Sequence, residues 1–157
     1  MKWPAPTFKA FQTVEACCQR EKLLAAGDLV LAGISGGLDS IFLLNFLAAY
    51  REKIPFTLIA CHLNHMIRDR EADLDQALAA SSCQALDIPF YPVKVDVPAY
   101  AARHKMGLEA AGREVRRQAF LELGRETLAK GAYQGELRIA LAHHMDDRAE
   151  SILMHLG

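Results

Sequence analysis

The sequence predicts an α/β fold, a parallel sheet with helices on both faces, and three observations carry that expectation. Short apolar runs bounded by turn residues alternate with longer stretches of helical spacing along the chain. The first run, Leu29 to Ile34, is continuous in the way a strand buried on both faces requires. No internal repeat or low-complexity linker interrupts the alternation. The 157 residues suit one domain. A chain of that size buries about 70% of its unfolded surface without a metal or disulfide staple. Residues 1–28 read as an N-terminal helix leading into the domain, and residues 29–157 as the domain itself.

Each element follows from local pattern. Thr7 to Ala26 is amphipathic, with Phe8, Phe11, Val14 and Cys18 on one stripe. Gly27-Asp28 precedes the strand Leu29–Ile34, and a glycine turn follows it. Asp39 to Lys53 returns to helical spacing through Leu43, Leu44 and Leu47 and stops at Pro55. Thr57 to Leu63 is a second strand and Asp69 to Leu86 a second crossover helix with acids in its first turn. Tyr91 to Val95 is a short third strand. A short helix follows Pro98, with a break near Gly107, and Leu108 to Lys130 is a long charged helix. Arg138 to Ala142 is a fourth strand, and Met145 to Leu156 a final helix.

Composition narrows the class. Hydrophobic residues make up 52% and charged residues 24%, as in soluble globular proteins. No apolar run approaches the roughly 20 residues of a membrane span, and the N-terminus lacks the apolar core of a signal peptide. Cys17, Cys18, Cys61 and Cys83 form no CxxC, which points to reduced, buried thiols and a cytoplasmic location. The net charge of −1 means that any nucleic-acid partner must be held by a local patch or by something outside this chain.

Four polar clusters fall at strand ends or on one helix face. In "SGGLDS", Gly36 and Gly37 permit close backbone approach, while Ser35 and Ser40 add hydroxyls at a helix N-terminus. Together they suit a phosphate or pyrophosphate. The Gly-Lys-Ser/Thr of a Walker A loop and the GxGxxG of a dinucleotide fold are both absent. Asp39 would repel a bare phosphate unless magnesium lay between them; alternatively it is a helix N-cap. In "CHLNH", His62, Asn64 and His65 end the second strand, a pattern more often hydrogen-bonded scaffold than metal site. In "GLEAAGREVRRQAF", Glu109, Arg113, Arg116 and Phe120 share a helical face. Such arginines either decorate the surface, the reading that suits Arg117 and Arg125, or stabilise a nucleotide under attack. In "ALAHHMDDRAES", His143 and His144 precede Asp146, Asp147 and Glu150, acids that suit a helix N-terminus as well as a ligand site.

Taken in order, "SGGLDS", "HLNH" with "IRDREADLDQ", "GLEAAGREVRRQAF" and "AHHMDDRAES" resemble the N-terminal catalytic domain of the tRNA(Ile)-lysidine synthetase family, within the PP-loop (N-type) ATP pyrophosphatases. The resemblance runs from about Leu29 to Gly157. It implies a Rossmann-like fold of the adenine nucleotide α-hydrolase type with strand order 3-2-1-4 and the fifth strand missing. Residues 29–157 would then be a PP-loop ATP-binding catalytic domain, incomplete at its C-terminus. The implied reaction ligates L-lysine to the wobble cytidine of an isoleucine tRNA, with ATP and magnesium. Cytidine is first adenylated with loss of pyrophosphate; lysine then displaces AMP.

By the same resemblance Ser35, Gly36, Gly37, Leu38, Asp39 and Ser40 wrap the pyrophosphate, with Asp39 on magnesium. His62 and Asn64 line the nucleotide pocket. Arg116, with Arg113, stabilises the reacting phosphate, and His143 sits beside it. Asp147 and Glu150 take the lysine ammonium groups. Arg117, where the family usually has tyrosine, and Arg148 and Ser151 depart from the pattern. Cytidine thiolation by another PP-loop enzyme, or nucleotide binding without catalysis, are the alternatives. With no fifth strand, "LRIALA" would be an open sheet edge guarded only by Arg138, prone to self-association. The chain alone would bind ATP weakly and form no lysidine.

Overall fold

A computed structural model describes residues 5–35, 37–64, 69–142 and 153–155. The elements run α1 (Ala5–Glu21), β1 (Leu29–Gly33), α2 (Leu38–Tyr50), β2 (Thr57–Asn64), α3 (Asp69–Ala85), β3 (Phe90–Lys94), α4 (Val97–His104), α5 (Leu108–Lys130), β4 (Leu137–Leu141) and β5 (Leu153–His155). The sheet order is β3-β2-β1-β4-β5. The first four strands are parallel, so the expected order 3-2-1-4 is present.

Alternation along the central strands divides the core. Val30, Ala32, Leu58, Ala60 and Ala140 pack with α1, α2 and α3. Leu29, Leu31, Ile59, Cys61 and Ile139 meet Phe120 of α5 on the opposite face. Leu63 joins Val97 and Ala101 of α4 and Ala111 and Val115 of α5 in a smaller cluster. Helices thus cover both faces. Each fully buried leucine, such as Leu43, Leu44 and Leu47 on α2, contributes about 1.5–3 kcal/mol. The break before α5 also has a local cause. Asp96 caps α4 by accepting from the Ala99 N–H at 3.0 Å, and Lys105 turns left-handed at its C-terminus (φ 54°).

The end of the chain departs from expectation. Residues 153–155, read as part of a helix, form β5 antiparallel to β4, with Arg138 opposite His155 and Ala140 opposite Leu153. A fifth strand is therefore present within this chain. It covers Arg138, Ile139 and Ala140, so the open edge on which self-association was expected is paired along those residues. The physical reason is that β4 has backbone groups that must find partners, and a short apolar segment of the same chain supplies them. Residues 143–152, which include the rest of the expected final helix, lie outside the described residues.

Arg138 is not an edge guard either. It is tied back to Asp28 at 3.2 Å and to Glu136 at 3.2 Å. Among the described residues no helix is long and apolar enough to cross a membrane.

Candidate nucleotide-binding site

The turn after β1 is knitted by its own serines. Ser40, 2% exposed in the first turn of α2, accepts from the Ser35 N–H at 3.2 Å and the Ser35 hydroxyl at 3.1 Å. It donates to the Gly37 carbonyl at 2.9 Å, while the Gly37 N–H donates to Ser35 Oγ at 3.2 Å. This fixes a short loop under the helix N-terminus. The N-cap of α2 is Gly37 and no side chain caps it, so the alternative of Asp39 as N-cap does not hold. Asp39 is instead the second residue of α2 and half-buried, and Leu38 opens the helix. Gly36 lies outside the described residues.

Beside this loop is a cleft lined by Gly33, Ile34, Ser35, Ser40, Leu63, Arg116, Phe120, Leu141 and Ala142. It sits at the C-terminal ends of β1 and β4, where the strand order turns from one side of β1 to the other. Open α/β sheets bind ligands at such a switch point. Its cavity volume is about 70 Å³. Gly33 makes the floor possible. A Cβ there would fall 2.5 Å from Leu141 Cδ2 and 2.7 Å from Phe120 Cε2, so only glycine lets the ring close against the sheet.

Arg116 is the cation of the cleft. It is half-buried, and burial, followed by the charge of Arg113, lowers its pKa from the ordinary guanidinium value. Guanidinium groups remain charged in proteins. An arriving anion would offset both effects. Arg113 is exposed and does not line the cleft; its influence is through Arg116.

His62 and Asn64 stand elsewhere. They share the strand parity of Leu58 and Ala60, which face α1, α2 and α3, and neither lines the cleft. His62 is 3% exposed, with Nδ1 2.6 Å from the Ile34 carbonyl. Because that carbonyl can only accept, Nδ1 carries the proton. Nε2 is buried without a hydrogen-bond partner among the described residues. The Ile34 N–H in turn donates to the Cys61 carbonyl at 2.9 Å. The chain leaving β1 is therefore held to β2 from both sides. The Asn64 amide donates to Asp73 Oδ1 on α3 at 3.4 Å.

His143, Asp147 and Glu150 lie outside the described residues. Gly33, Leu63, Leu141 and Ala142 were not foreseen from sequence. They are apolar residues of strand ends whose role emerges only when three strands are side by side.

The four cysteines form no disulfide and are buried, as expected, and none lines the cleft. Burial pushes the thiols of Cys18 and Cys61 up to about 12 and that of Cys83 to about 11. Among the described residues no group of three or more His, Cys, Asp or Glu side chains could hold a metal ion.

Residues 11–157 match a family model described as a PP-loop domain. A relative from Petrotoga mobilis named tRNA(Ile)-lysidine synthase is 39% identical over 135 residues, covering 86% of this chain and 41% of the relative. Relatives of the same name from Clostridium tetani (37% identical, 85% of this chain and 27% of the relative) and Dehalococcoides mccartyi (35%, 92% and 29%) also match. A solved U34-tRNA thiolase, NcsA from Methanococcus maripaludis, aligns over 55% of this chain and 28% of its own, at 28% identity and a TM-score of 0.47. This chain thus spans less than half the length of the curated relatives it matches. With the serine-knitted loop after β1, a cleft at the β1/β4 switch point and a family match across nearly the whole length, the chain belongs to the PP-loop family.

Proposed function

We propose that this PP-loop domain serves the ATP-dependent ligation of L-lysine to the wobble cytidine of an isoleucine tRNA. The observation that carries the reading is the cleft in which Arg116 faces the Ser35–Ser40 loop, in a chain whose relatives are named for lysidine synthesis. In this reading the loop holds the pyrophosphate portion of ATP. Arg116 neutralises charge as the cytosine carbonyl oxygen attacks the α-phosphate, and pyrophosphate leaves. Such preorganised charge is commonly worth about 10²–10³ in rate. The lysine amine then displaces AMP from the adenylated base. His143 beside the phosphate, and Asp147 and Glu150 on the ammonium groups, complete the assignment.

Magnesium fits the residues present. Asp39 offers one carboxylate next to Ser40, which lines the cleft, and no all-protein cage exists among the described residues. Magnesium is commonly held by one or two carboxylates plus substrate phosphates. When bound, it would supply charge neutralisation on the phosphate oxygens.

Thiolation is the less favoured reading, because the four thiols are buried, none lines the cleft and three are held protonated. The test grafts this chain in place of the matching residues of the Petrotoga mobilis relative and supplies ATP, magnesium, lysine and tRNA. Release of AMP with lysine attached to the tRNA is expected. ATP binding without AMP would reduce the domain to a nucleotide-binding module. The isolated chain is expected to bind ATP weakly.

A further inference from the structure

We infer that Phe120 is a positioning residue, whose ring, seated on the bare backbone of Gly33, sets the distance between Arg116 and the Ser35–Ser40 loop. The inference rests on the reading of the cleft above and adds the contact that gives the cleft its width. Gly33 is the last residue of β1 and is buried, a place where glycine weakens a strand by leaving nothing to pack. Its φ is not positive, so the backbone conformation does not call for glycine. Space does. A Cβ on Gly33 would lie 2.7 Å from Phe120 Cε2 and 2.8 Å from Phe120 Cζ, so the tip of the ring occupies the place of the missing side chain.

That contact joins the two halves of the site. On one side Gly33 stands two residues before Ser35, and the residue between them is tied down. The Ile34 N–H donates to the Cys61 carbonyl at 2.9 Å, and His62 Nδ1 donates to the Ile34 carbonyl at 2.6 Å. The root of the loop is therefore fixed to the sheet. On the other side Phe120 and Arg116 are four residues apart on α5, and so neighbours on one helix face. Both line the cleft, together with Gly33, Ser35 and Ser40. With the loop fixed to the sheet, the depth at which α5 sits decides how far Arg116 stands from it. The ring on Gly33 sets that depth inside the cleft itself.

A second close contact locates the helix farther along. A Cβ on Gly124 would lie 2.6 Å from Leu137 Cδ2, so here a strand side chain enters a gap on the helix. Gly124 is eight residues beyond Arg116, about 12 Å along the axis, and does not line the cleft. The two contacts are the same kind of packing, one inside the site and one outside it. Packing alone would make them equivalent. Positioning of Arg116 makes only the first matter to a ligand.

The test measures pyrophosphate binding by calorimetric titration, and the melting temperature, for the chain and for Gly33→Ala, Phe120→Leu and Gly124→Ala. Each substitution is made with Arg116 present and again in the Arg116→Gln background. Gly33→Ala lifts the helix and Phe120→Leu lets it settle. Both should weaken pyrophosphate about five- to tenfold, a coupling that groups in contact commonly show. In the Arg116→Gln background the same changes should cost less than about twofold, because the group they misplace is gone. Gly124→Ala should keep the parent affinity within about twofold, whatever it does to the melting temperature. Phe120→Leu overfills nothing, and it carries the test if Gly33→Ala does not fold. Equal losses with and without Arg116, a folded Phe120→Leu that binds as the parent does, or an equal loss from Gly124→Ala would each overturn the inference. A parent chain that binds no pyrophosphate, or an Arg116→Gln variant that binds it equally well, defeats the reading of the cleft and the inference with it. Binding that depends on Arg116, with Phe120→Leu costing the same in both backgrounds, defeats the positioning role alone.

Discussion

The two ends of the β1–β4 pair are finished in opposite ways. At the N-terminal end the Asp28 carboxylate, 2% exposed, accepts from the Ala25 N–H at 2.9 Å, the Glu136 N–H at 2.9 Å and Arg138 Nε at 3.2 Å. Nothing there is left for a ligand. At the C-terminal end the cation is Arg116, and among the described residues no carboxylate lines the cleft with it. A buried charge with its partners in place fixes the strands, and the half-buried charge is, in the proposed function, the one that binds. One pair of strands thereby separates stability from function.

The largest effect should come from breaking the closed end. Asp28→Ala removes the acceptor of two backbone N–H groups and leaves Arg138, whose side chain is 16% exposed, without its buried partner. Breaking such a pair by removing one member costs about 3–5 kcal/mol. For a domain of this size that is a fall in Tm of roughly 6–20 °C, measurable by thermal melting. Loss of less than about 1 kcal/mol would mean that the pair is solvated and the contrast between the ends is false.

Breaking the open end should do the reverse. Arg116→Gln removes a cation already disfavoured by burial and by Arg113, so the melting temperature should hold within about 0.5 kcal/mol of stability. Pyrophosphate binding should weaken about tenfold or more, since hydrogen bonds to charged groups contribute about 1.5–3 kcal/mol. Calorimetric titration of the folded variant reads this directly. Unchanged affinity with a large drop in Tm would move Arg116 from the site to the scaffold.

The same contrast explains what the sequence could disclose. Helix α5 was legible at both ends, Leu108 and Lys130, because a long periodic segment carries its own signal. The loop was legible because its six residues are contiguous. Asp28 read only as a strand boundary, since its partners Glu136 and Arg138 are 108 and 110 positions away. β5 was hidden for a different reason. Three residues have no period, and their strand state comes from pairing with β4 rather than from their own pattern. The face on which His62 lies was not legible either, because parallel strands buried on both faces show no alternation to tell one face from the other.

His62 offers the smallest and most specific test, since its two ring nitrogens have different fates. Nδ1 donates to the Ile34 carbonyl at 2.6 Å, immediately before Ser35, and Nε2 has no partner among the described residues. An asparagine amide nitrogen can stand where Nδ1 stood, and a glutamine amide nitrogen where Nε2 stood. If His62 acts by positioning the turn, His62→Asn should keep ATP affinity within about twofold. His62→Gln should then lose about fivefold, the equivalent of one net hydrogen bond of about 1 kcal/mol. Both variants give up the packing of the ring, so both should melt earlier, and the melting temperature alone cannot separate the roles. The affinity ratio can. The opposite ratio, with glutamine retaining ATP and asparagine losing it, would mean that Nε2 meets the ligand and that the nucleotide extends across β1 to the α2 face of the sheet.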